Sequence, residues 1–247
     1  MSAPIVACVM LANGRPEMVA RAERCFEAQT YEKSYMIRYD NHGQKSIGAL
    51  RNEANAGSAI INPDIICHWD SDDWSHPNRI AEQVALLQAS GAECVGYHEM
   101  LFWADHSTYP VSTAEAWLYR ASIPNYAIGT SMCYWRETWE KHPFPDRSEG
   151  CDDLYWFNGD KDKGLARVKI VSVSAIDPDP VCHCGTEYSK HSVYDNHSFT
   201  AMEPPPDYSS MIASIHGGNT CAKIATGARE WTRVPEWDAY CREAMQL

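Results

Sequence analysis

The sequence predicts an α/β protein with a mostly parallel central sheet flanked by helices. Three short apolar runs, at residues 5–11, 35–39 and 65–69, have the length and composition of buried strands. The segments that follow them carry apolar residues at helical spacing, so strands and helices alternate along this part of the chain. This alternation is typical of doubly wound sheets, in which the polar strand ends lie at one edge.

The composition is that of a folded protein. Hydrophobic residues make up 45% and charged residues 22% of the 247 residues. Lysine and arginine number 21 against 33 aspartate and glutamate residues, which gives a net charge of −12. This acidity argues against broad nonspecific binding to nucleic acid.

The N-terminal residues and the distribution of cysteines indicate in which cellular compartment the protein is expected. Residues 1–13 are apolar but carry no basic leader and no run long enough to span a membrane. The 10 cysteines are scattered and form no CxxC pair, and several lie in strand-like runs where a free thiol behaves as a small apolar side chain. We therefore expect a cytoplasmic protein without a transmembrane segment.

The first half of the chain divides into well-marked elements. The first strand ends in an Asn-Gly-Arg-Pro turn, and its proline opens a helix. The second strand ends at residues 40–43, and Ser46 is expected to cap the next helix, which runs to residue 56. The third strand ends in an acidic stretch and is followed by a strongly patterned helix over residues 78–89.

After residue 91 the alternation stops. Strands over residues 94–103 and 116–121 have no helix between them, which predicts a small antiparallel extension of the sheet. The next expected elements are strands over 129–135 and 168–173 and helices over 136–141 and 152–158.

The C-terminal part has a weaker pattern. The strand over residues 168–173 is the last clear one, and from Tyr208 the chain is expected to be helical with a break at Gly217 and Gly218. The expected division is a domain over residues 1–200, with halves at 1–104 and 105–200, and a C-terminal extension over 201–247 that packs on it.

The acidic stretch after the third strand indicates a site. Asp70, Asp72 and Asp73 place three carboxylates close together, and these repel one another unless a cation or hydrogen-bond donors compensate. Carboxylate oxygens suit hard divalent ions such as Mg²⁺ and Mn²⁺, which carry substrate phosphates. A solvated acidic turn that caps the next helix is the alternative, but the apolar strand before the stretch favours a site.

Six short motifs follow one another in a fixed order along residues 4–185. They read Ala-Asn-Gly-Arg-Pro at 12–16, Tyr-Asp-Asn at 39–41, Leu-Arg-Asn at 50–52, Trp-Asp-Ser-Asp-Asp at 69–73, Gly-Thr-Ser at 129–131 and Asp-Asp at 152–153. In order and spacing this set resembles the family-2 glycosyltransferases with the GT-A fold. The resemblance implies that fold, a nucleotide-sugar donor and a metal-dependent transfer.

The resemblance implies that residues 1–104 are the nucleotide-binding half of the domain and residues 105–200 the acceptor half. Asp40 would accept a hydrogen bond from the base, which fits uracil, and Ala12, Asn13 and Arg15 would lie against the base and ribose. Arg51 would help to orient the nucleotide.

The family's DXD motif corresponds here to Asp70, Ser71 and Asp72. The resemblance places Asp70 and Ser71 on the nucleotide and makes Asp72 a ligand of the Mn²⁺ or Mg²⁺ that bridges the diphosphate. Asp73 is either a second acid behind the metal or the cap of the next helix. Many relatives add a histidine ligand after the last core strand, and His183 fits that place best. His191 and His197 are the alternatives.

The chemistry that the resemblance implies needs a base. As the anomeric bond breaks, negative charge grows on the departing diphosphate, and a divalent cation stabilises it. An inverting transfer also requires a group that takes the proton of the acceptor hydroxyl. The family's late Glu-Asp pair is Asp152 and Asp153 in this chain, so we expect Asp153 to be the base, with Asp152 as the alternative. A helix N-cap is the structural alternative for this pair.

The acceptor side is less defined. Gly129 and Thr130 would put a small residue and a hydroxyl beside the sugar, but a plain buried strand explains them equally well. Trp135 is an acceptor candidate because indole rings stack on sugars, although most Trp residues belong to cores. The other tryptophans considered for stacking are Trp69, Trp74, Trp103 and Trp156.

The expected activity is a metal-dependent, inverting transfer of a sugar from a nucleoside-diphosphate sugar to a hydroxyl acceptor, with UDP as the expected nucleotide. The acceptor is a glycan, a lipid-linked sugar, a protein, a small molecule or a hydroxymethylated base of phage DNA, the last disfavoured by the acidity. A nucleotidyltransferase and a catalytically silent nucleotide- or sugar-binding module are the alternatives. The sequence leaves the oligomeric state open.

Overall fold

The computed structural model describes residues 2–12, 14–40, 45–104, 114–123, 125–157, 167–176, 209–215 and 230–246. The strands are β1 (Val6–Ala12), β2 (Ser34–Asp40), β3 (Ile65–His68), β4 (Trp74–Ser75), β5 (Cys94–Ala104), β6 (Glu115–Arg120), β7 (Cys133–Trp135), β8 (Ile170–Ser174), β9 (Met211–Ile215) and β10 (Trp231–Arg233). The helices are α1 (Pro16–Glu27), α2 (Ile47–Gly57), α3 (Arg79–Ser90), α4 (Arg136–Lys141), α5 (Asp153–Phe157) and α6 (Asp238–Gln246).

The first three long strands form the parallel part of the sheet. β1 pairs in parallel with β2 on one side and with β3 on the other. All four residues of β3 are buried, as expected for a parallel strand that is covered on both faces. Ala12 and Asp40 are partners in register, so the carboxyl ends of β1 and β2 lie side by side.

The rest of the sheet is largely antiparallel. β7 runs antiparallel to both β3 and β5, β6 runs antiparallel to β5, and β10 runs antiparallel to β6. β8 and β9 both pair in parallel with β5. The predicted α/β class is confirmed, and the sheet is mixed, with a larger antiparallel part than the sequence indicated.

The C-terminal segment differs from the prediction. The expected helix from Tyr208 is wrong, because Met211–Ile215 form β9, which pairs with β4 as well as β5. All five of its residues are buried, and such a short apolar run does not distinguish strand from helix by its period. β8 is therefore not the last strand. The expected domain boundary at residue 200 lies outside the described residues.

Two expected helix starts are confirmed. Pro16 is the first residue of α1, and Ser46 caps α2, with its hydroxyl oxygen accepting a hydrogen bond from the Ala49 N–H at 3.2 Å. The seven cysteines within the described ranges are free and buried. No helix in these ranges is long and apolar enough to cross a membrane.

Candidate functional site

The acidic stretch lies in the turn between β3 and β4, beyond the carboxyl end of β3. Carboxylate oxygens of Asp70, Asp72 and Asp73 all lie within 4.8 Å of one another. At such distances three negative charges require compensation. The structure supplies it separately for each acid.

Asp73 is held by two elements that are distant in sequence. Its Oδ1 accepts a hydrogen bond from the backbone N–H of Ser214 in β9 at 2.9 Å, and its Oδ2 accepts one from the Thr130 hydroxyl. The helix that follows begins at Arg79 with Asn78 as N-cap, so Asp73 does not cap it. The interpretation of this stretch as a helix-capping acidic turn is therefore wrong.

Asp72 and Asp70 each form an ion pair with an arginine. Arg15 Nη1 lies 3.0 Å from Asp72 Oδ2, and its Nη2 donates to Ser71 Oγ at 3.4 Å. Arg51 Nη2 lies 3.2 Å from Asp70 Oδ1. The side chains of Asp70 and Asp72 retain 28% and 12% exposure, so both remain within reach of a ligand in solution.

Arg51 connects the acidic stretch to the late acidic pair. Its guanidinium in α2 is buried, and its Nε lies 3.0 Å from Asp152 Oδ2 while Nη2 contacts Asp70. Burial lowers the pKa of Arg51, but Asp70 and Asp152 more than offset that effect and hold it above its ordinary value. The arginine stays charged between its two carboxylates.

Asp152 and Asp153 have different environments. Burial raises the pKa of Asp152, but Arg51, His68 and the backbone N–H of Asp153 together outweigh burial and hold that pKa below its ordinary value. Burial, and then the charge of Asp152, raise the pKa of Asp153 to about 6. Asp153 begins α5 and its Oδ2 accepts hydrogen bonds from the Tyr126 hydroxyl at 2.6 Å and from the Gly129 N–H at 3.2 Å. The pair therefore contains one ionised acid and one that titrates near neutral pH.

A buried histidine supports the backbone beside this pair. His68 Nδ1 donates to the carbonyl oxygen of Gly129 at 2.6 Å, and its Nε2 accepts from the Tyr134 hydroxyl at 3.1 Å. Asn55 Nδ2 donates to the same hydroxyl oxygen at 2.9 Å. Burial, and then the charge of Arg51, lower the pKa of His68 to about 4, so the ring is neutral near pH 7.

The residues of the acidic stretch fit a hard divalent cation. Their donor atoms are carboxylate oxygens, which Mg²⁺ and Mn²⁺ prefer. Asp73 is buried and both of its oxygens accept hydrogen bonds, whereas the side chains of Asp70 and Asp72 keep some exposure, so these two are the better placed ligands. The histidines considered as a further ligand (His183, His191 and His197) lie outside the described residues, as does Asn13.

Two of the residues predicted to contact the base, Ala12 and Asp40, lie at the adjacent strand ends. Ala12 is buried at the end of β1 beside Asp40, which ends β2. Asp40 is exposed and its Oδ1 lies 2.9 Å from Arg38 Nη2. The carboxyl ends of β1, β2 and β3 thus carry most of the residues predicted to bind the nucleotide.

The predicted acceptor residues are divided between two places. Gly129 and Thr130 lie in a 3₁₀ turn (Gly129–Ser131) rather than in a strand, and contact the late acidic pair and Asp73. Trp135 lies at the opposite end of β3, in register with Ile65, and its indole N–H donates to the Ala92 carbonyl. The structure does not bring Trp135 to the acidic stretch. The remaining tryptophans considered for stacking, Trp69, Trp74, Trp103 and Trp156, are buried in the core.

Four residues that support this site lie outside the six sequence motifs. Arg21 in α1 and Arg79 in α3 are buried, and each donates to backbone carbonyls, Arg21 to Asp72 and Arg79 to His68 and Thr130. Tyr126 and Ser214 contact the acids from distant parts of the chain. An arginine among the apolar positions of α1 is the one signal that sequence inspection offers for Arg21.

Comparison with solved structures indicates the fold. S. aureus TarS 1-349 in complex with UDP-GlcNAc matches with a TM-score of 0.52 and 10% identity, over 90% of this chain and 62% of that one. S. aureus TarS matches with a TM-score of 0.50 and 9% identity, over 85% of this chain and 37% of that one. The fold is of the GT-A glycosyltransferase type.

A third solved structure matches at a lower score. The mannosyltransferase PcManGT from Pyrobaculum calidifontis in complex with GDP-Man and Mn²⁺ has a TM-score of 0.46 and 12% identity, over 70% of this chain and 56% of that one. The chain spans between 37% and 62% of the length of these three structures. No family model matches the sequence, and no curated protein matches it.

Proposed function

We propose that the protein is a metal-dependent, inverting glycosyltransferase that moves a sugar from a UDP-sugar to a hydroxyl acceptor. The observation that carries the proposal is the link between the two acidic groups, in which Arg51 contacts Asp70 on one side and Asp152 on the other. A transferase of this kind needs a cation on the diphosphate and a base near the anomeric carbon. One buried arginine that joins both groups fixes their relative position.

Asp70 and Asp72 would hold Mg²⁺ or Mn²⁺, which when bound stabilises the negative charge of the departing diphosphate. Arg15 would move from Asp72 to a phosphate oxygen when the nucleotide binds, because its guanidinium lies beside the same carboxylate. Asp40 and Ala12 at the neighbouring strand ends would contact the base. The complex of TarS with UDP-GlcNAc, on a similar fold, supports a uridine nucleotide.

Asp153 would take the proton of the acceptor hydroxyl. Its pKa of about 6 leaves it ionised at neutral pH and still basic enough to accept a proton in the transition state. Asp152 would remain ionised against Arg51 and act on Asp153 through its charge. Gly129 would complete the arrangement, because its N–H donates to Asp153 while its missing side chain admits Asp152.

The experiment is an assay for nucleoside diphosphate released from UDP-GlcNAc and UDP-glucose, with Mn²⁺, with Mg²⁺ and with a chelator. Metal-dependent release of UDP, abolished in Asp72→Asn and strongly reduced in Asp153→Asn, is the expected result. Glu149→Gln is the control variant, because Glu149 is exposed and close in sequence to the pair. Release of pyrophosphate instead would indicate a nucleotidyltransferase. Nucleotide binding without any turnover would indicate a silent binding module, and either result contradicts the proposal.

A further inference from the structure

The acidic stretch is anchored by the last part of the chain. The Ser214 hydroxyl in β9 donates to the backbone carbonyl of Asp72 at 2.6 Å, and the Ser214 N–H donates to Asp73 Oδ1 at 2.9 Å. β9 also pairs with β4, which directly follows the acidic stretch, through Ile212 opposite Trp74. A single buried strand thus holds the backbone of one acid and the side chain of the next.

A buried arginine extends this anchor to the C-terminal helix. Arg21 Nη2 donates to the Asp72 carbonyl oxygen and to Ser214 Oγ, the latter at 3.3 Å. Its Nη1 donates to the carbonyl oxygen of Met245 in α6 at 2.9 Å. One guanidinium therefore joins α1, the acidic stretch, β9 and α6.

We infer that Ser214 and Arg21 are positioning residues for the metal ligand Asp72, and that β9 and α6 are thereby part of the cation site. The inference rests on the proposed function. Both side chains donate to the Asp72 carbonyl oxygen, and this fixes the backbone of Asp72 and with it the direction of its side chain. Groups behind metal ligands commonly change metal affinity 10- to 100-fold, because they hold the ligands in the geometry that the ion requires.

A purely structural role is the competing explanation, and the two differ in what they predict for metal affinity. Ser210 provides the matched control. It is also fully buried and lies just before β9, but its hydroxyl donates to Glu82 Oε2 at 2.7 Å, away from Asp72. Removal of the Ser214 hydroxyl breaks its hydrogen bonds with Asp72 and Arg21, and removal of the Ser210 hydroxyl breaks its bond to Glu82, so both substitutions are expected to reduce stability.

The experiment measures the dissociation constant of Mn²⁺ in the presence of UDP by calorimetry, together with the melting temperature, for the full chain. Ser214→Ala is expected to weaken Mn²⁺ binding about tenfold. Ser210→Ala is expected to leave Mn²⁺ binding unchanged, although its melting temperature falls as that of Ser214→Ala does. Ser214→Thr, which keeps the hydroxyl, is expected to bind Mn²⁺ like the wild type.

Equal Mn²⁺ affinity in wild type and Ser214→Ala would overturn the inference and leave the proposed function standing. Absence of Mn²⁺ binding in the wild type would contradict the proposed function itself, and the inference with it. Arg21→Lys is the second variant, to be measured whether or not Ser214→Ala folds. It retains the charge but cannot reach α6, β9 and Asp72 together, so it too is expected to weaken Mn²⁺ binding, and wild-type affinity in this variant would overturn the inference.

Discussion

Arg51 and Asp152 form a buried ion pair, with Nε of the arginine 3.0 Å from Oδ2 of the acid. This pair separates the roles of two adjacent carboxylates. Asp152 keeps its charge because Arg51 compensates it, while the pKa of Asp153 is raised to about 6 by burial and by the charge of Asp152. Two neighbouring acids whose pKa values are moved apart by their surroundings are the usual basis of acid–base assignments in active sites.

The first prediction concerns Tyr126. Its hydroxyl donates to Asp153 Oδ2 at 2.6 Å, and this bond lowers the pKa of Asp153 against the larger effect of burial. Tyr126→Phe removes the bond, so the pKa of Asp153 is expected to rise by roughly one unit, as the loss of a hydrogen bond to a charged group implies. In a profile of UDP release against pH, the acid limb is expected to move to higher pH.

Tyr155→Phe is the control for this prediction, because Tyr155 lies on α5 with Asp153 but its ring packs against Arg167. An acid limb that Tyr126→Phe leaves in place would show that Asp153 is not the titrating base.

The second prediction concerns Gly129. A Cβ at this position would lie 2.8 Å from Asp152 Oδ1, closer than real side chains approach. Gly129→Ala is therefore expected to displace Asp152 and to lower kcat by at least about tenfold, because catalytic geometry tolerates little displacement. Gly57→Ala is the control, since a Cβ there meets nothing within 4 Å and the residue lies at the end of α2. A wild-type kcat in Gly129→Ala would show that the position of Asp152 does not affect catalysis.

The third prediction is that loss of Arg15 changes the affinities for Mn²⁺ and for UDP in opposite directions. Because Arg15 pairs with Asp72, a cation that binds without nucleotide must displace the guanidinium. Arg15→Gln is expected to tighten the binding of Mn²⁺ alone by roughly fivefold, about 1 kcal/mol. It is expected to weaken UDP binding in the presence of Mn²⁺, since the phosphate loses its arginine. Calorimetry of both ligands measures the two effects.

Arg24→Gln controls for the change in net charge, because Arg24 is an exposed arginine of α1, the helix that follows Arg15. If Arg15→Gln changed the affinities for Mn²⁺ and for UDP in the same direction, Arg15 would not exchange between Asp72 and a phosphate.

The fourth prediction concerns stability below neutral pH. The pKa of His68 is lowered to about 4, mainly by burial, whereas an unfolded histidine titrates near its ordinary value of about 6.5. Between these values the unfolded chain binds a proton that the native protein does not, so stability is present above pH 6.5 and is lost as the pH falls toward 4. The full effect is on the order of 3 kcal/mol.

Urea denaturation at pH 7 and pH 5 tests this prediction. In the wild type the free energy of unfolding is expected to be smaller at pH 5. His68→Gln removes the titration, so its difference between the two pH values is expected to shrink, while His142→Gln is expected to retain it. A wild-type difference that persists unchanged in His68→Gln would assign the pH dependence to other groups.

The sequence predicts the parallel part of the fold and several residues of the site because both depend on local patterns. Apolar runs mark β1 and β3, and the acids that follow β3 are adjacent in sequence. The anchor formed by Ser214 could not be predicted, because it contacts Asp72 across 142 residues and carries no motif. The local pattern predicts a helix at β9. The segment forms a strand because its five residues are stabilised by pairing with β4 and β5 rather than by local preference.

Metal-dependent nucleotide binding at Asp72 is the central claim, and a thermal-shift measurement tests it most directly. Wild type and Asp72→Asn are heated with UDP, GDP and UDP-GlcNAc, each with and without Mn²⁺. A ligand that binds the native state raises the melting temperature by mass action. We predict an increase for the wild type with a uridine nucleotide only when Mn²⁺ is present, and none for Asp72→Asn. An increase of the same size in Asp72→Asn, or no increase in the wild type with any of these ligands, would contradict the proposed site.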